Sequence, residues 1–290
     1  MTATRELFGV TGATGAVGGL VARLLAERGV AQRLVVRAGS DVADLPPAEA
    51  REITDYGDHT SMRAALEGMT AVFLVSGREH PDRLRQHKTA VDAAVDAGVE
   101  RIVYLSFLGA ASDATFTLAR QHFATEEHIR SHGVAFTFLR SSLYLDFVPW
   151  VASPNGVIAG PAGDGRLAPV ARADVAEAVV AVLTSRDHDG RCYDNTGPYT
   201  ISLQEAADEL ARASGRAVIY KDETLEEAWE SRRPTGAPEW EIEGWITSYL
   251  AIATGELDVV SDTVPRLTGH RAQSLPEYLD AHPESYAHLK

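Results

Sequence analysis

The sequence predicts a doubly wound α/β fold, a parallel sheet wrapped by helices, followed by a small mixed lobe. Three observations carry this expectation. Apolar strand-like runs alternate with helical patterns through the first half of the chain. Runs such as Ala71-Val72-Phe73-Leu74-Val75 are continuously apolar, the pattern of parallel strands buried on both faces. The first strand runs straight into a turn with glycines at 12, 15 and 18, and that turn opens directly into a helix.

The elements follow in order. Strands are expected at Glu6–Val10, Arg33–Arg37, Arg51–Thr54, Ala71–Val75, Arg101–Ser106 and Val134–Leu139. Helices are expected at Gly15–Arg28, Thr60–Glu67, Asp82–Ala97 (stopped by Gly98) and Phe116–Ser131. Past Tyr144 the alternation breaks into a stretch rich in proline and glycine, read as loop. A helix over Ala173–Leu183 with Asp174 as its N-cap and a strand at Cys192–Asn195 come next. Ser202 and Glu205 have capping-box spacing before a helix over Leu203–Ala213. Segments Ala217–Tyr220, Leu225–Arg232, Glu239–Thr254 and Leu275–Leu279 complete a smaller region, with the tail expected to end on the surface. Residues 1–144, completed by 172–196, are assigned to a Rossmann-type dinucleotide-binding domain. Residues 145–171 and 197–290 are assigned to a substrate lobe and tail.

The glycine turn has a specific chemistry. Gly12 permits the tight turn, Gly15 lets the backbone approach a pyrophosphate, and Gly18 lets the helix pack closely on the sheet. Free N–H groups at the helix start then meet negative charge. An acid closing the second strand would select NAD(H) by holding the ribose 2′-hydroxyl and repelling a 2′-phosphate. Arg37 stands there instead, able to fork onto a phosphate, and Asp41 comes too late, so NADP(H) is favoured over NAD(H). Ligands in such sheets bind beyond the carboxyl ends of the strands, which adds Asp55 and Tyr56 after the third strand and Val75, Ser76 and Gly77 after the fourth.

Bulk properties exclude several classes. Net charge is −14 and only three lysines occur (Lys88, Lys221 and Lys290), which opposes nucleic-acid binding. No signal-peptide pattern and no apolar run of about 18 residues is found, so no membrane span is expected. A lone cysteine, Cys192, allows no internal disulfide; a reducing cytoplasm is the simplest setting, with Cys192 as a small buried apolar residue. The histidines, His80, His87 and His132 among them, are read as lacking paired ligand spacing, so no metal is expected.

The segments Val10–Gly18, Val36-Arg37, Asp55–Asp58, Leu105-Ser106, Leu118–Glu126 and Leu139–Tyr144 resemble the NmrA-like branch of atypical short-chain dehydrogenases/reductases. Within it the look is that of the type 2 NADPH:quinone oxidoreductases and triphenylmethane reductases. The resemblance runs over nearly the whole chain, including Gly163-Asp164-Gly165 and Arg172–Ala176. It implies NADPH-dependent reduction of a small, flat, conjugated acceptor. It also implies cofactor contacts at Thr14, Gly15, Ala16, Val17, Arg37, Asp55, Tyr56, Val75, Ser76 and Ser106, with Ser141, Ser142 and Leu143 in the segment under the nicotinamide.

The chain departs from the short-chain dehydrogenase pattern in one informative way. The helix after the fifth strand, Phe116–Ser131, carries neither tyrosine nor lysine, and the match Tyr286-x-x-x-Lys290 lies outside any strand–helix context. Glu127 also stands where the quinone reductases lead one to expect lysine. A ketone that accepts hydride becomes a strongly basic alkoxide and needs a proton donor, whereas a quinone becomes a delocalised anion that water protonates later. Loss of the Tyr/Lys pair therefore fits a conjugated acceptor. His122 and Tyr144 are the candidate polarising groups, His122 as a residue titrating near neutrality. Phe107, Tyr144 and Trp150 are the candidate ring contacts. Two other readings stay open: a nonenzymatic NADP-binding redox sensor, and a pathway-specific tailoring reductase of an aromatic natural product. Monomer and homodimer are both compatible with the sequence.

Overall fold

The computed structural model describes residues 6–46 and 48–289. In chain order the elements are β1 (Phe8–Thr11), α1 (Ala16–Glu27), β2 (Gln32–Arg37), β3 (Glu49–Ile53), α2 (His59–Leu66), β4 (Ala71–Leu74), α3 (Arg83–Asp96), β5 (Arg101–Phe107), α4 (Thr117–Ser131), β6 (Ala135–Ser141), α5 (Phe147–Val151), β7 (Val157–Gly160) and β8 (Arg166–Leu167). There follow α6 (Arg172–Leu183), β9 (Arg191–Asn195), β10 (Ile201–Ser202), α7 (Leu203–Ser214), β11 (Ile219–Asp222), α8 (Leu225–Arg232), α9 (Glu239–Ala253), α10 (Thr263–Thr268), α11 (Leu275–Ala281) and a 3-10 segment, Pro283–Leu289. They divide between two compact units. The first takes the described residues of Met1–Phe107 with Gln121–Arg140 and Arg172–Tyr193; the second takes Leu108–Arg120, Ser141–Ala171 and the described residues of Asp194–Lys290.

The first unit is built on a seven-stranded sheet in the order β3-β2-β1-β4-β5-β6-β9. The pairs β1–β2, β1–β4, β2–β3 and β4–β5 are parallel, with Val10 opposite Leu34 and Phe73. Order reverses at β1, the switch point where an open α/β sheet leaves a crevice. Every residue of β1 and β4 is buried, as their unbroken apolar runs require. Alternation sends Val72, Leu74, Ile102 and Tyr104 to a face covered by Met62 and Leu66 of α2, Ala90 and Val91 of α3 and Ile129 of α4. Helices α1 and α6 pack on one another, and α6 lies on β4 and β5.

The second unit holds two small sheets, β7 parallel to β11 and β8 antiparallel to β10. Helix α7 begins in the expected capping box, Ser202 with Glu205, and a second box at Thr224 and Glu227 starts α8. Ala228 of α8 packs with Ile242 and Ile246 of α9.

Four expectations are corrected. The stretch after Tyr144 is not plain loop, because it contains α5, β7 and β8. Gly160 there serves packing, since a Cβ would collide with the Tyr249 ring. Asp174 does not cap α6: the helix starts two residues earlier, which places Asp174 in the first turn, where an acid still complements the helix dipole. Cys192 is exposed, not buried, because β9 is the last strand of the sheet. The tail, expected on the surface, is in part buried: Tyr286 and Leu289 are buried and the 3-10 segment packs against α5, α7 and α11. Lys290, the end of the Tyr286 match, lies outside the described residues.

Candidate dinucleotide site and its buried support

A cavity of about 450 Å³ opens beyond the carboxyl ends of β1 to β4. Its walls are Gly12, Thr14 and Gly15 of the turn; Val35, Val36 and Arg37 of β2; and Ile53, Thr54, Asp55 and Tyr56 after β3. Val75, Ser76, Gly77, Arg78, His80 and Gln86 close the remaining side. Nine residues singled out in the sequence thus share one cavity: Gly12, Thr14, Gly15, Arg37, Asp55, Tyr56, Val75, Ser76 and Gly77. Ala16 is exposed at the first position of α1, and the Val17 side chain is buried in the core. Ser106, Ser141, Ser142 and Leu143 do not line this cavity.

The local structure fits a dinucleotide. Gly12 has φ +59°, a left-handed conformation that its place in the turn demands. A Cβ on Gly18 would collide with the Gly12 carbonyl, so α1 reaches the turn only with glycine there. Gly15 is the N-cap and offers no side-chain acceptor, so no side chain caps the opening N–H groups of α1. Arg37 is exposed at the end of β2 with no ion pair among the described residues. Val35 and Ile53 supply an apolar wall for a flat base.

Several side chains expected to touch the cofactor also build the cavity. The Tyr56 hydroxyl lies 2.6 Å from Thr11 Oγ1 and 3.0 Å from the Val75 carbonyl, and burial pushes its pKa up to about 12. Thr11 Oγ1 accepts from Val75 N and donates to the Phe73 carbonyl, tying β1 to the end of β4. Asp55 Oδ1 accepts from Gly57 N at 2.6 Å and shapes the turn after β3.

Behind the Val75–Gly77 wall lies a buried network that the sequence did not reveal. Gly77 N donates to His87 Nε2 at 2.8 Å, which leaves the His87 proton on Nδ1, 3.1 Å from Thr125 Oγ1. Arg83 Nε donates to the Gly77 carbonyl at 2.7 Å, Nη1 to Gln121 Oε1 at 3.1 Å, and Nη2 to His122 Nε2 at 2.9 Å. His122 must then carry its proton on Nδ1, which donates to Tyr104 Oη at 2.9 Å. His122 therefore does not titrate near neutrality. Burial, followed by the Arg83 charge, pushes both His122 and His87 well below the ordinary 6.5. The Phe107 ring lies 6.2 Å from that of His122.

A second buried cluster explains Ser106. Its hydroxyl donates to Glu126 Oε1 at 2.6 Å, and Glu126, fully buried, receives a two-pronged bond from Arg140 at 2.9 and 2.6 Å. Glu127 is exposed and pairs with Arg130 at 2.5 Å.

In the second unit Tyr144 bridges to Val170, and Trp150 is 75% exposed with its ring 6.3 Å from Phe147. The hydroxyls of Ser141 and Ser142 and both side-chain amide atoms of Asn195 are buried without a hydrogen-bond partner among the described residues. Such groups are rare unless something else satisfies them.

Known proteins resemble this chain. The NAD(P)H-binding family matches residues 12–186. Quinone oxidoreductase 2 of Escherichia coli is 32% identical over 279 residues, covering 93% of this chain and 96% of its own length. The NAD(P)H azoreductase of Xenophilus azovorans is 29% identical over 281 residues, covering 96% and 98%. Among solved structures, Citrobacter sp. triphenylmethane reductase complexed with NADP(H) superposes with a TM-score of 0.83 at 32% identity, covering 94% of this chain and 99% of that one. The chain belongs to the NAD(P)H-binding family.

Proposed function

We propose that this chain is an NADPH-dependent reductase of quinones or similarly conjugated acceptors. The observation that carries the reading is the state of α4. It bears no tyrosine or lysine, and its buried histidine has both ring nitrogens engaged. No side chain of that helix stands in the place of the usual tyrosine acid, which supports an acceptor whose reduced form needs no proton at once. The relatives, named for quinone and azo reduction, support the same class.

Bound NADPH would supply the hydride. The chain's part is to bind and orient. Arg37 takes the 2′-phosphate, and the N–H groups of Ala16 and Val17 take the pyrophosphate, with Gly15 allowing the close backbone approach while its own N–H is held by the Gly12 carbonyl at 2.8 Å. Asp55 and Tyr56 border the adenine end, and the backbone of Val75–Gly77 follows the cofactor toward its reactive half. Ser106, Ser141, Ser142 and Leu143 serve the nicotinamide half, as the family resemblance implies. Phe107, Tyr144 and Trp150 contact the acceptor ring, with Tyr144 the remaining candidate for a hydrogen bond to its oxygen. His122 is a positioning residue that acts through Arg83 on the Gly77 loop.

The test is purified chain with NADPH and a panel of benzoquinones, naphthoquinones and azo dyes, followed by NADPH absorbance. Acceptor-dependent oxidation is expected with at least one class. No acceptor-dependent loss across the panel overturns the proposal.

A further inference from the structure

We infer that Asp92, His128 and His132 form a binding site for a first-row divalent transition-metal ion, with zinc the representative. His128 and His132 stand four residues apart at the carboxyl end of α4, and Asp92 faces them from the last turns of α3. His128 Nε2 lies 2.7 Å and His132 Nε2 2.8 Å from the same oxygen, Asp92 Oδ1, and the two nitrogens are 3.4 Å apart. The imidazoles meet edge to face with centroids 4.9 Å apart.

This convergence is more than two ordinary hydrogen bonds require. Both rings aim the same nitrogen at one carboxylate oxygen, and a single ion at about 2.0–2.1 Å, the usual zinc–nitrogen and zinc–oxygen distance, reaches all three atoms of so small a triangle. Two imidazoles and one carboxylate suit zinc, nickel or copper, whereas calcium and magnesium prefer oxygen alone. The Asp92, His128 and His132 side chains keep 41, 23 and 28% exposure, so water can complete the coordination. Gln86, which lines the dinucleotide cavity, lies in the first turn of α3, so the ion would clamp α3 to α4 away from the cofactor. It is a structural clamp and not part of hydride transfer. The His128-x-x-x-His132 spacing departs from the expectation that the histidines lack paired ligand spacing, and Asp92 is joined to it only by the fold.

The test is calorimetric titration of the full chain, free of any polyhistidine tag and stripped with chelator, with zinc chloride alone. One zinc per chain in the micromolar range or tighter is expected, with a raised thermal midpoint. His132→Gln and Asp92→Asn should each weaken binding tenfold or more, while His59→Gln, in a histidine–aspartate pair outside the cluster, leaves it unchanged. Zinc-edge X-ray absorption of the loaded wild-type chain, which needs no variant, should show scattering from two imidazoles. No uptake at millimolar zinc, binding that falls less than tenfold in both variants, or a spectrum without imidazole scattering overturns the site.

Discussion

Arg83 Nη2 donates to His122 Nε2 across 2.9 Å, so a buried guanidinium is bonded to a neutral ring. The same arginine grips the Gly77 carbonyl, while His87 accepts the Gly77 N–H. One loop of the candidate dinucleotide cavity is thus fixed from behind by two helices.

His87→Phe keeps the ring's bulk and removes the acceptor for Gly77 N–H. An unsatisfied amide costs about 1–3 kcal/mol. NADPH affinity, read by fluorescence titration, should fall roughly fivefold or more by that range, with a smaller change in the KM of the acceptor.

Stability should fall as pH drops below about 6.5. The unfolded chain protonates His87 and His122 near their ordinary value, and the folded chain, in which both are held well below it, does not. Their contribution is complete above 6.5 and is lost toward the depressed folded values, at up to about 1.4 kcal/mol per pH unit for each ring. Urea unfolding between pH 7.5 and 5, about two and a half units chosen to span this window, measures the slope. The variant His122→Gln should roughly halve the slope.

Gly18→Ala sets a methyl group against the Gly12 carbonyl. Backbone cannot yield as a flexible side chain does, so a loss of about 3 kcal/mol is expected in chemical denaturation, together with loss of NADPH binding.

Arg37→Ala should erase the preference for NADPH. A charge-assisted bond to phosphate is worth about 1.5–3 kcal/mol, so kcat/KM with NADPH should drop roughly ten- to a hundredfold while that with NADH stays nearly constant.

The parts of this molecule set by local chemistry were legible in the sequence. The Gly12–Gly18 turn, the buried run at Ala71–Val75 and the Ser202–Glu205 box each declare their structure within a few residues. What could not be read depends on distant partners. His122 reads as a group titrating near neutrality until Tyr104 and Arg83 are brought against it, and nothing near Ser106 in the chain announces that Glu126 accepts its hydroxyl. Cys192 is exposed against expectation because strand composition does not reveal which strand closes the sheet.

The most direct measurement compares a quinone with a saturated ketone of similar size, each reduced by NADPH with the same preparation. Because α4 offers no free proton donor, the quinone should be turned over at a kcat/KM at least about a thousandfold above the ketone, within the range that general acid catalysis supplies. Ketone reduction at a comparable rate would contradict the account.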